Sequence, residues 1–294
     1  MLKQLGNVKV RVAIAAVVVV GGVLTAFALN SGSGSDNWRA QCVSAPAGPA
    51  GKQASAVAEA RQALLSKGKD PRLGIAIVDL DACAVETSWK ADQPQPTASV
   101  VKLLIALDLI DRAGVPSGSE ATAVRTMLSA SDDRVASRLW QQNGGAEIVR
   151  RQVAKLGLAH TTPPADAGQW GSTRMSPTDV VTVYRYITAK LSEEERGFVT
   201  EAMENAPRTA VDGFDQHFGI PSAFPGAHWA VKQGWGSSEA RRVLNTTGLV
   251  RTASGFYAVA VMASWSETIG WPTATTALTT AIGTLKASLK AGKA

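Results

Sequence analysis

Strand-like and helix-like segments are distributed unevenly along this chain of 294 residues. Two β-rich runs lie early in the chain, at 73–80 and 82–89, and three lie late, at 228–231, 243–251 and 256–264. Between them, apolar residues recur at helical spacing over about 99–113, 119–130, 132–141, 145–156, 177–190 and 193–205, and further helical patterns occupy 53–67 and 273–291. This order predicts an α/β fold of the α+β type. One antiparallel sheet, built from both chain ends and flanked by the terminal helices, would pack beside an all-helical lobe at about 95–218.

The amino-terminal segment has the pattern of an export signal. Three basic residues precede an uncharged apolar run from Val12 to Leu29, and Ala26-Phe27-Ala28 supplies a small-x-small cleavage pattern. The run is also just long enough to span a bilayer. Residues 1–28 are therefore predicted to be either a cleaved signal peptide or an amino-terminal membrane anchor, with residues 12–29 providing the anchoring. Residues 29–52 are rich in Gly, Ser and Pro and predict a flexible linker before a domain at 53–294.

The chain has two cysteines, Cys42 and Cys83. Export to an extracellular or cell-envelope location favours a disulfide between them, with two separate buried thiols as the alternative. Cys42 lies too far from the apolar run to suggest lipid attachment, and the preceding Arg39-Ala40-Gln41 is not a lipid-attachment sequence.

Composition excludes several classes of function. The net charge is +6, of which three positive charges lie in the export segment, and no basic run stands out elsewhere, so nucleic-acid binding is not expected. Two cysteines and three histidines exclude zinc fingers and iron–sulfur clusters. Signatures of metalloproteases, P-loops and dinucleotide folds are also missing. We therefore expect a monomer that needs neither metal nor cofactor.

The first chemically informative motif is Ser99-Val100-Val101-Lys102, at the start of an apolar helix. Residues three apart share one helix face, so Lys102 is expected one turn from Ser99. A serine hydroxyl is a poor nucleophile without a base, and a lysine in a dry site can lose its proton and serve as that base. The alternative is an amino-terminal serine followed by a surface lysine, which is how we interpret the second match at Ser66 and Lys69.

Two further motifs follow in the helical middle and late sheet. Ser131-Asp132-Asp133 stands between two helical segments, where it could also serve simply as a helix cap. Lys232-Gln233-Gly234 ends an apolar strand segment. Lys-x-Gly is a common pattern, also found at Lys155 and Lys290, but only Lys232 follows a strand in the second half of the sheet.

The order and context of these three motifs resemble those of serine β-lactamases and penicillin-binding proteins, most closely the class A β-lactamase-like serine hydrolases. The resemblance covers about residues 53–290. It implies that Ser99 is the acylated nucleophile, that Lys102 activates it, and that Ser131 relays a proton to the leaving nitrogen. Lys232 would hold Ser131 and attract a substrate carboxylate, and the backbone N–H groups of Ser99 and Trp235 would form the oxyanion hole.

The resemblance also implies that Asp133, Gln233, Gly234 and Trp235 bind substrate, but two of these positions depart from the family pattern. Asp133 replaces an asparagine, and a carboxylate only accepts hydrogen bonds, so it would keep Lys102 protonated and repel an acidic substrate. Gln233 replaces a hydroxyl residue that contacts the substrate carboxylate. The candidates for replacing that contact are Ser237, Ser238, Arg241 and Arg242.

The loop at 158–172 lacks the glutamate that positions the deacylating water in class A enzymes. Asp166 is its only carboxylate, which makes it the candidate deacylation base, with a role in a turn as the alternative.

The sequence leaves three candidate functions: a serine hydrolase of β-lactams or D-alanyl wall peptides, a penicillin-binding protein that acylates but deacylates poorly, or a non-catalytic envelope binding module.

Overall fold

The computed structural model describes residues 38–42, 45–46 and 54–291. The predicted signal peptide or anchor and the first residue of the predicted helix at 53–67 lie outside this part of the chain. No helix among the described residues is both long and apolar enough to cross a membrane.

An antiparallel sheet formed by both ends of the domain is the centre of the fold, as predicted. Its strands are β1 (Arg72–Asp79), β2 (Ala84–Trp89), β5 (His228–Val231), β6 (Gly234–Ser238), β7 (Arg241–Thr252) and β8 (Gly255–Ser266). The order is β2-β1-β8-β7, with β5 and β6 both pairing with β7. A separate short pair joins β3 (Gln95–Pro96) to β4 (Arg174–Met175). The predicted hairpin of β1 and β2 is therefore confirmed, and β8 joins it to the late strands.

Strands β5 and β6 continue one another along the edge of β7. Val231 pairs with Gly248 and Gly234 pairs with Asn245, so the register is unchanged across the two intervening residues. The Lys232 amide keeps a hydrogen bond of 3.0 Å to the Thr247 carbonyl. Strand β6 was not predicted from the sequence. Because β6 continues β5, Lys232 lies within a nearly continuous edge strand.

The terminal helices α1 (Ala54–Leu65) and α9 (Trp271–Ala291) cover one face of the sheet. Leu64 of α1 and Ile282 of α9 are buried in one apolar cluster with Ile75 of β1 and Val261 of β8. Burial of such aliphatic side chains contributes about 1.5–3 kcal/mol each relative to leaving them exposed. This apolar layer fixes the sheet from one side.

The helical lobe covers the other face and supplies half of the candidate site. Its helices are α2 (Lys102–Ala113), α3 (Gly118–Ser129), α4 (Asp133–Gln142), α5 (Ala146–Leu156), α6 (Pro177–Ala189) and α7 (Glu193–Glu204). The short α8 (Ile220–Ala223) lies on the other side of the sheet from this lobe, because its Ile220 belongs to the apolar cluster of the terminal helices. The boundaries of the lobe helices follow local signals: Ser176 caps α6, and Ser192 with Glu195 forms a capping box on α7. Apolar side chains of α2 and α6 share a cluster with Ala258 and Ala260 of β8.

Part of the predicted linker is not a linker. Trp38 is fully buried, its ring stacks on His228 at 4.6 Å, and its indole nitrogen donates to Glu204. The Ala40 amide donates to the Thr188 carbonyl. Cys42 forms the predicted disulfide with Cys83, with 5.0 Å between the Cα atoms. Residues 38–42 therefore belong to the folded domain, because a buried tryptophan and a disulfide outweigh the Gly/Ser-rich surroundings.

Candidate active site

Ser99 lies at a strained turn between the short strand β3 and helix α2. Ala98–Val101 form a 3-10 turn that leads directly into α2, and Ala98 has a left-handed φ of 45°. The buried Asn245 side chain on β7 donates to the Pro96 and Thr97 carbonyls, both at 3.0 Å. Asn245 was not identified from the sequence, because nothing local marks it, and it attaches the turn that carries Ser99 to the sheet.

Lys102 lies beneath Ser99, as the spacing of three predicts. Its Nζ donates to Ser99 Oγ at 2.8 Å, to Ser131 Oγ at 3.0 Å and to Asp133 Oδ1 at 2.5 Å. The lysine side chain is fully buried. The surface alternative for the lysine is therefore wrong, and this motif forms a compact cluster of nucleophile and amine.

Ser131 connects the two lysines. It sits between α3 and α4 with a left-handed φ of 60°, and its Oγ accepts from Lys102 Nζ and from Lys232 Nζ, each at 3.0 Å. The next residue, Asp132, caps α4 by accepting from the Arg134 and Val135 amides. The cap function thus falls on Asp132 and leaves the Ser131 hydroxyl inside the site.

Burial lowers the pKa of both lysines. Desolvation lowers the pKa of Lys102, opposed mainly by the charge and hydrogen bond of Asp133. Desolvation, followed by repulsion from Lys102, lowers the pKa of Lys232 well below its ordinary value. The protein therefore holds amines that can lose a proton within hydrogen-bonding distance of Ser99 and Ser131.

A cleft opens above Ser99. Its lining consists of Pro96, Ala98, Ser99, Asp133, Gln169, Trp170, Gly171, Ser172, Trp235, Gly236, Ser237, Ser238 and Val243. The cleft holds about 120 Å³, whereas a cavity of about 560 Å³ between the 208–222 segment and α9 contains none of the predicted site residues. We place the candidate site in the smaller cleft, because the buried amines and the hydroxyls converge there.

Trp235, which was predicted to bind substrate, lines this cleft, and Gly234 lies directly beside the Ser99 turn. A Cβ on Gly234 would come within 2.5 Å of the Thr97 carbonyl oxygen and 3.3 Å of the Ser99 amide nitrogen. Only glycine allows this close approach. The Trp235 indole donates to Asp212 at 2.8 Å, and its ring stacks on Phe214. Neither Asp212 nor Phe214 was identified from the sequence.

The prediction that Gln233 binds substrate is not supported by its position. Its side chain is buried, and Nε2 donates to the Gln216 carbonyl at 3.1 Å and to the Phe218 carbonyl at 2.7 Å. Side chains alternate between faces along an extended strand, so Gln233 faces away from the side on which Lys232 contacts Ser131. Gln233 instead fastens the 216–218 segment beneath the strand.

The two arginines considered for a substrate carboxylate are engaged elsewhere. Arg241 donates to Asp70 and Ser264, and Arg242 lies over the Trp271 ring. Ser237 and Ser238 do line the cleft, and Ser238 Oγ lies 3.4 Å from Ser172 Oγ. The hydroxyl candidates thus remain and the arginine candidates do not.

The 158–172 loop does not bring its carboxylate to the cleft. Asp166 is exposed, and its Oδ1 accepts from the Gly168 amide at 2.9 Å, which is the turn alternative. The same loop places the Trp170 ring 4.9 Å from Lys102 Nζ, with its indole nitrogen donating to Ser137. An aromatic ring from this loop therefore lies against the amine, which the sequence analysis missed.

Comparisons with known proteins agree on the fold. No protein-family model matches the chain. A solved structure of a PBP-A mutant, an acyl-enzyme complex with penicillin G, has a TM-score of 0.66 at 19% identity and covers 83% of this chain and 100% of that one. A class A β-lactamase from Mycobacterium abscessus has a TM-score of 0.65 at 18% identity and covers 80% and 99%. The chain thus has the fold of serine β-lactamases and penicillin-binding proteins.

A sequence relative covers a smaller region. "Putative lipoprotein LppW" of Mycobacterium tuberculosis (strain ATCC 25618 / H37Rv) is 35% identical over 146 residues, which are 47% of this chain and 46% of LppW. The Mycobacterium bovis protein of the same name matches equally. The match spans about half the length of each curated relative.

Proposed function

We propose that this chain is a serine enzyme that forms an acyl-enzyme with β-lactams or related D-alanyl wall peptides. One observation carries the proposal: a buried lysine amine lies 2.8 Å from the Ser99 hydroxyl at the floor of a cleft. A lone structural serine would not require a desolvated amine beside it, whereas a serine nucleophile requires a base at this distance.

The chemistry proceeds through three proton transfers. Neutral Lys102 takes the Ser99 hydroxyl proton as Oγ attacks the carbonyl carbon, and the oxyanion is stabilised by the backbone N–H groups of Ser99 and Trp235. As the C–N bond breaks, Ser131 passes a proton to the leaving nitrogen and is replenished through its hydrogen bonds to Lys102 and Lys232. The product of this step is an ester on Ser99.

The loop at 158–172 favours a long-lived ester over rapid hydrolysis. Its one carboxylate, Asp166, is exposed and engaged in a turn, and the loop residue that lies against Lys102 is Trp170, which is not a base. Without a carboxylate of this loop to orient and deprotonate water, the water step is slower by a factor of about 10²–10⁴. We therefore favour a protein that acylates readily and deacylates slowly, over an efficient β-lactamase.

An exported or cell-envelope location is part of the proposal. It is supported by the export pattern at residues 1–28, the Cys42–Cys83 disulfide and the similarity to a relative whose name describes a lipoprotein. Both cysteines of this chain are consumed by the disulfide, so neither is available for a lipid in this state. Retention at the membrane would then depend on residues 12–29.

A covalent adduct with a fluorescent penicillin, measured by intact mass, tests the function. The wild type should gain one adduct, and Ser99→Ala should lose it. Ser99 and Ser131 both bond to Lys102, but only Ser99 of these two lines the cleft. Ser66→Ala is the matched control, since Ser66 also precedes a lysine by three residues but lies on the surface. An undiminished adduct on Ser99→Ala disproves the assignment. A wild type that forms no adduct supports the non-catalytic binding module instead.

A further inference from the structure

The cleft above Ser99 has an unusual charge for a site that would accept penicillins, which are carboxylates. Of the described residues that line it, Asp133 is the only one with a charged side chain, and that side chain is 63% exposed. Lys102 and Lys232 lie beneath the floor and are not part of the lining. A ligand entering the cleft therefore meets an anion first.

Carboxylates near the two lysines add to the negative charge at the cleft. Asp132, Asp133 and Asp212 all act electrostatically on Lys102, and the last two also act on Lys232. Asp132 is paired with Arg134. The proposed function requires one amine to be neutral, so Asp133 and Asp212 together face a single charged lysine. The nearby arginines do not restore the balance, because Arg174 and Arg241 are paired with Glu239 and Asp70.

The hydrogen bonds that Asp133 can form also favour a ligand group with donors. Asp133 Oδ1 and Ser99 Oγ both bond to Lys102 Nζ, so they lie within two hydrogen-bond lengths of each other. A carboxylate only accepts hydrogen bonds. A substrate group that contacts Asp133 must therefore be a hydrogen-bond donor, and a carbonyl oxygen placed against Asp133 is repelled.

We propose that Asp133 is a specificity residue that selects acyl donors with an ammonium group close to the attacked carbonyl. This inference rests on the proposed function of Ser99. It names the substrate class as cationic amino-acyl compounds, which include wall peptides with a free amine beside the scissile bond and penicillins with an amino side chain. Penicillins without an amine still acylate Ser99 in this cleft, but more slowly.

Benzylpenicillin and ampicillin provide a matched test, because they differ by one amino group on the acyl side chain. Acylation rates of the full chain are measured by intact mass at a mildly acidic pH that keeps this amine protonated. The wild type should acylate about 3–100-fold faster with ampicillin, the range for two unit charges ~6 Å apart at an effective dielectric of ~80 to ~20. The preference should disappear in Asp133→Asn and persist in Asp166→Asn, an exposed carboxylate outside the cleft.

A second measurement separates this inference from the proposed function. Binding of both penicillins to Ser99→Ala is followed by tryptophan fluorescence, since Trp170 and Trp235 line the cleft. The same preference for ampicillin is expected, and it should weaken with added salt as charge attraction is screened. Equal acylation and equal binding of the two compounds, or binding of neither, overturns the role of Asp133. Selective binding without any adduct supports Asp133 and overturns the acyl-enzyme.

Discussion

Lys232 is a residue of the candidate site whose burial lowers the stability of the folded state. Its side chain is buried and its Nζ donates to Ser131 Oγ and to the Gln233 carbonyl, but no carboxylate lies within ion-pair distance of it among the described residues. Desolvation and the charge of Lys102 lower its pKa. Such a residue destabilises the folded state and is retained only where its chemistry is needed.

Replacing Lys232 with methionine should stabilise the protein while abolishing acylation. Because the folded pKa lies below the ordinary value of 10.5, the unfolded chain binds more protons between the two values, and the stability of the wild type rises with pH there. At neutral pH we expect Lys232→Met to gain about 1–3 kcal/mol of unfolding free energy. Urea titrations at several pH values should show this difference shrinking as the pH approaches 10.5. A variant less stable than the wild type at every pH would contradict the argument.

At the scale of elements, the helices were predictable and the edge strand was not. The helices from α3 to α7 begin and end within one residue of their predicted limits, because capping residues and apolar periodicity act locally. Strand β6 has the sequence Gly-Trp-Gly-Ser-Ser, which lacks apolar alternation, and it exists because it continues the register of β5 along β7. The orientation of Gln233 and the contact of Asn245 with the Ser99 turn depend on that register, so they could not be read from the sequence.

The turn between β6 and β7 is strained, and a substitution there should raise the stability of the protein. Glu239 and Ala240 both have left-handed backbone angles, with φ of 54° and 55°. A two-residue hairpin turn of this kind favours glycine, because a Cβ is unfavourable in the left-handed region. We expect Ala240→Gly to raise the unfolding free energy by roughly 0.5–1 kcal/mol. Ala253→Gly, in the β7–β8 turn and without a positive φ, is the control and should not stabilise the protein. Loss of stability in both variants would refute this explanation.

The 158–172 loop is the element that should control release of the acyl group. Gln169 lines the cleft and differs from glutamate only in its amide, so Gln169→Glu introduces a carboxylate with almost no change in shape. We expect this variant to release a bound penicilloyl group faster, by up to about 10²-fold, because a base becomes available to water. Asp166→Asn should leave the release rate unchanged. Decay of the adduct in intact-mass time courses measures both, and slower release from Asp166→Asn would show that this residue is the base after all.

At the scale of the whole molecule, the fold class followed from the sequence, because strand-rich ends around a helical middle leave few arrangements. The cluster at the candidate site was also predictable, since Ser99, Lys102, Ser131 and Lys232 belong to short motifs in a fixed order. The packing of Trp38 against His228 and Glu204 could not be predicted from the sequence, because a single tryptophan in a Gly/Ser-rich stretch carries no periodic signal. Residues 38–42 join the domain through contacts with residues far along the chain, and a local sequence pattern does not show such contacts.

The Cys42–Cys83 disulfide fastens residues 38–42 to the β1–β2 hairpin, and it should contribute substantially to global stability. It joins residues 41 positions apart, and a loop of this length corresponds to roughly 4 kcal/mol in the chain-entropy description. The double variant Cys42→Ser, Cys83→Ser should therefore lose up to that free energy of unfolding, measured by urea titration. Its acylation rate while folded should be unchanged, because neither residue lines the cleft. Reductant should lower the stability of the wild type to that of the double variant and leave the variant unaffected. Equal stability of wild type and variant in the absence of reductant would mean that residues 38–42 are held by the packing of Trp38 alone.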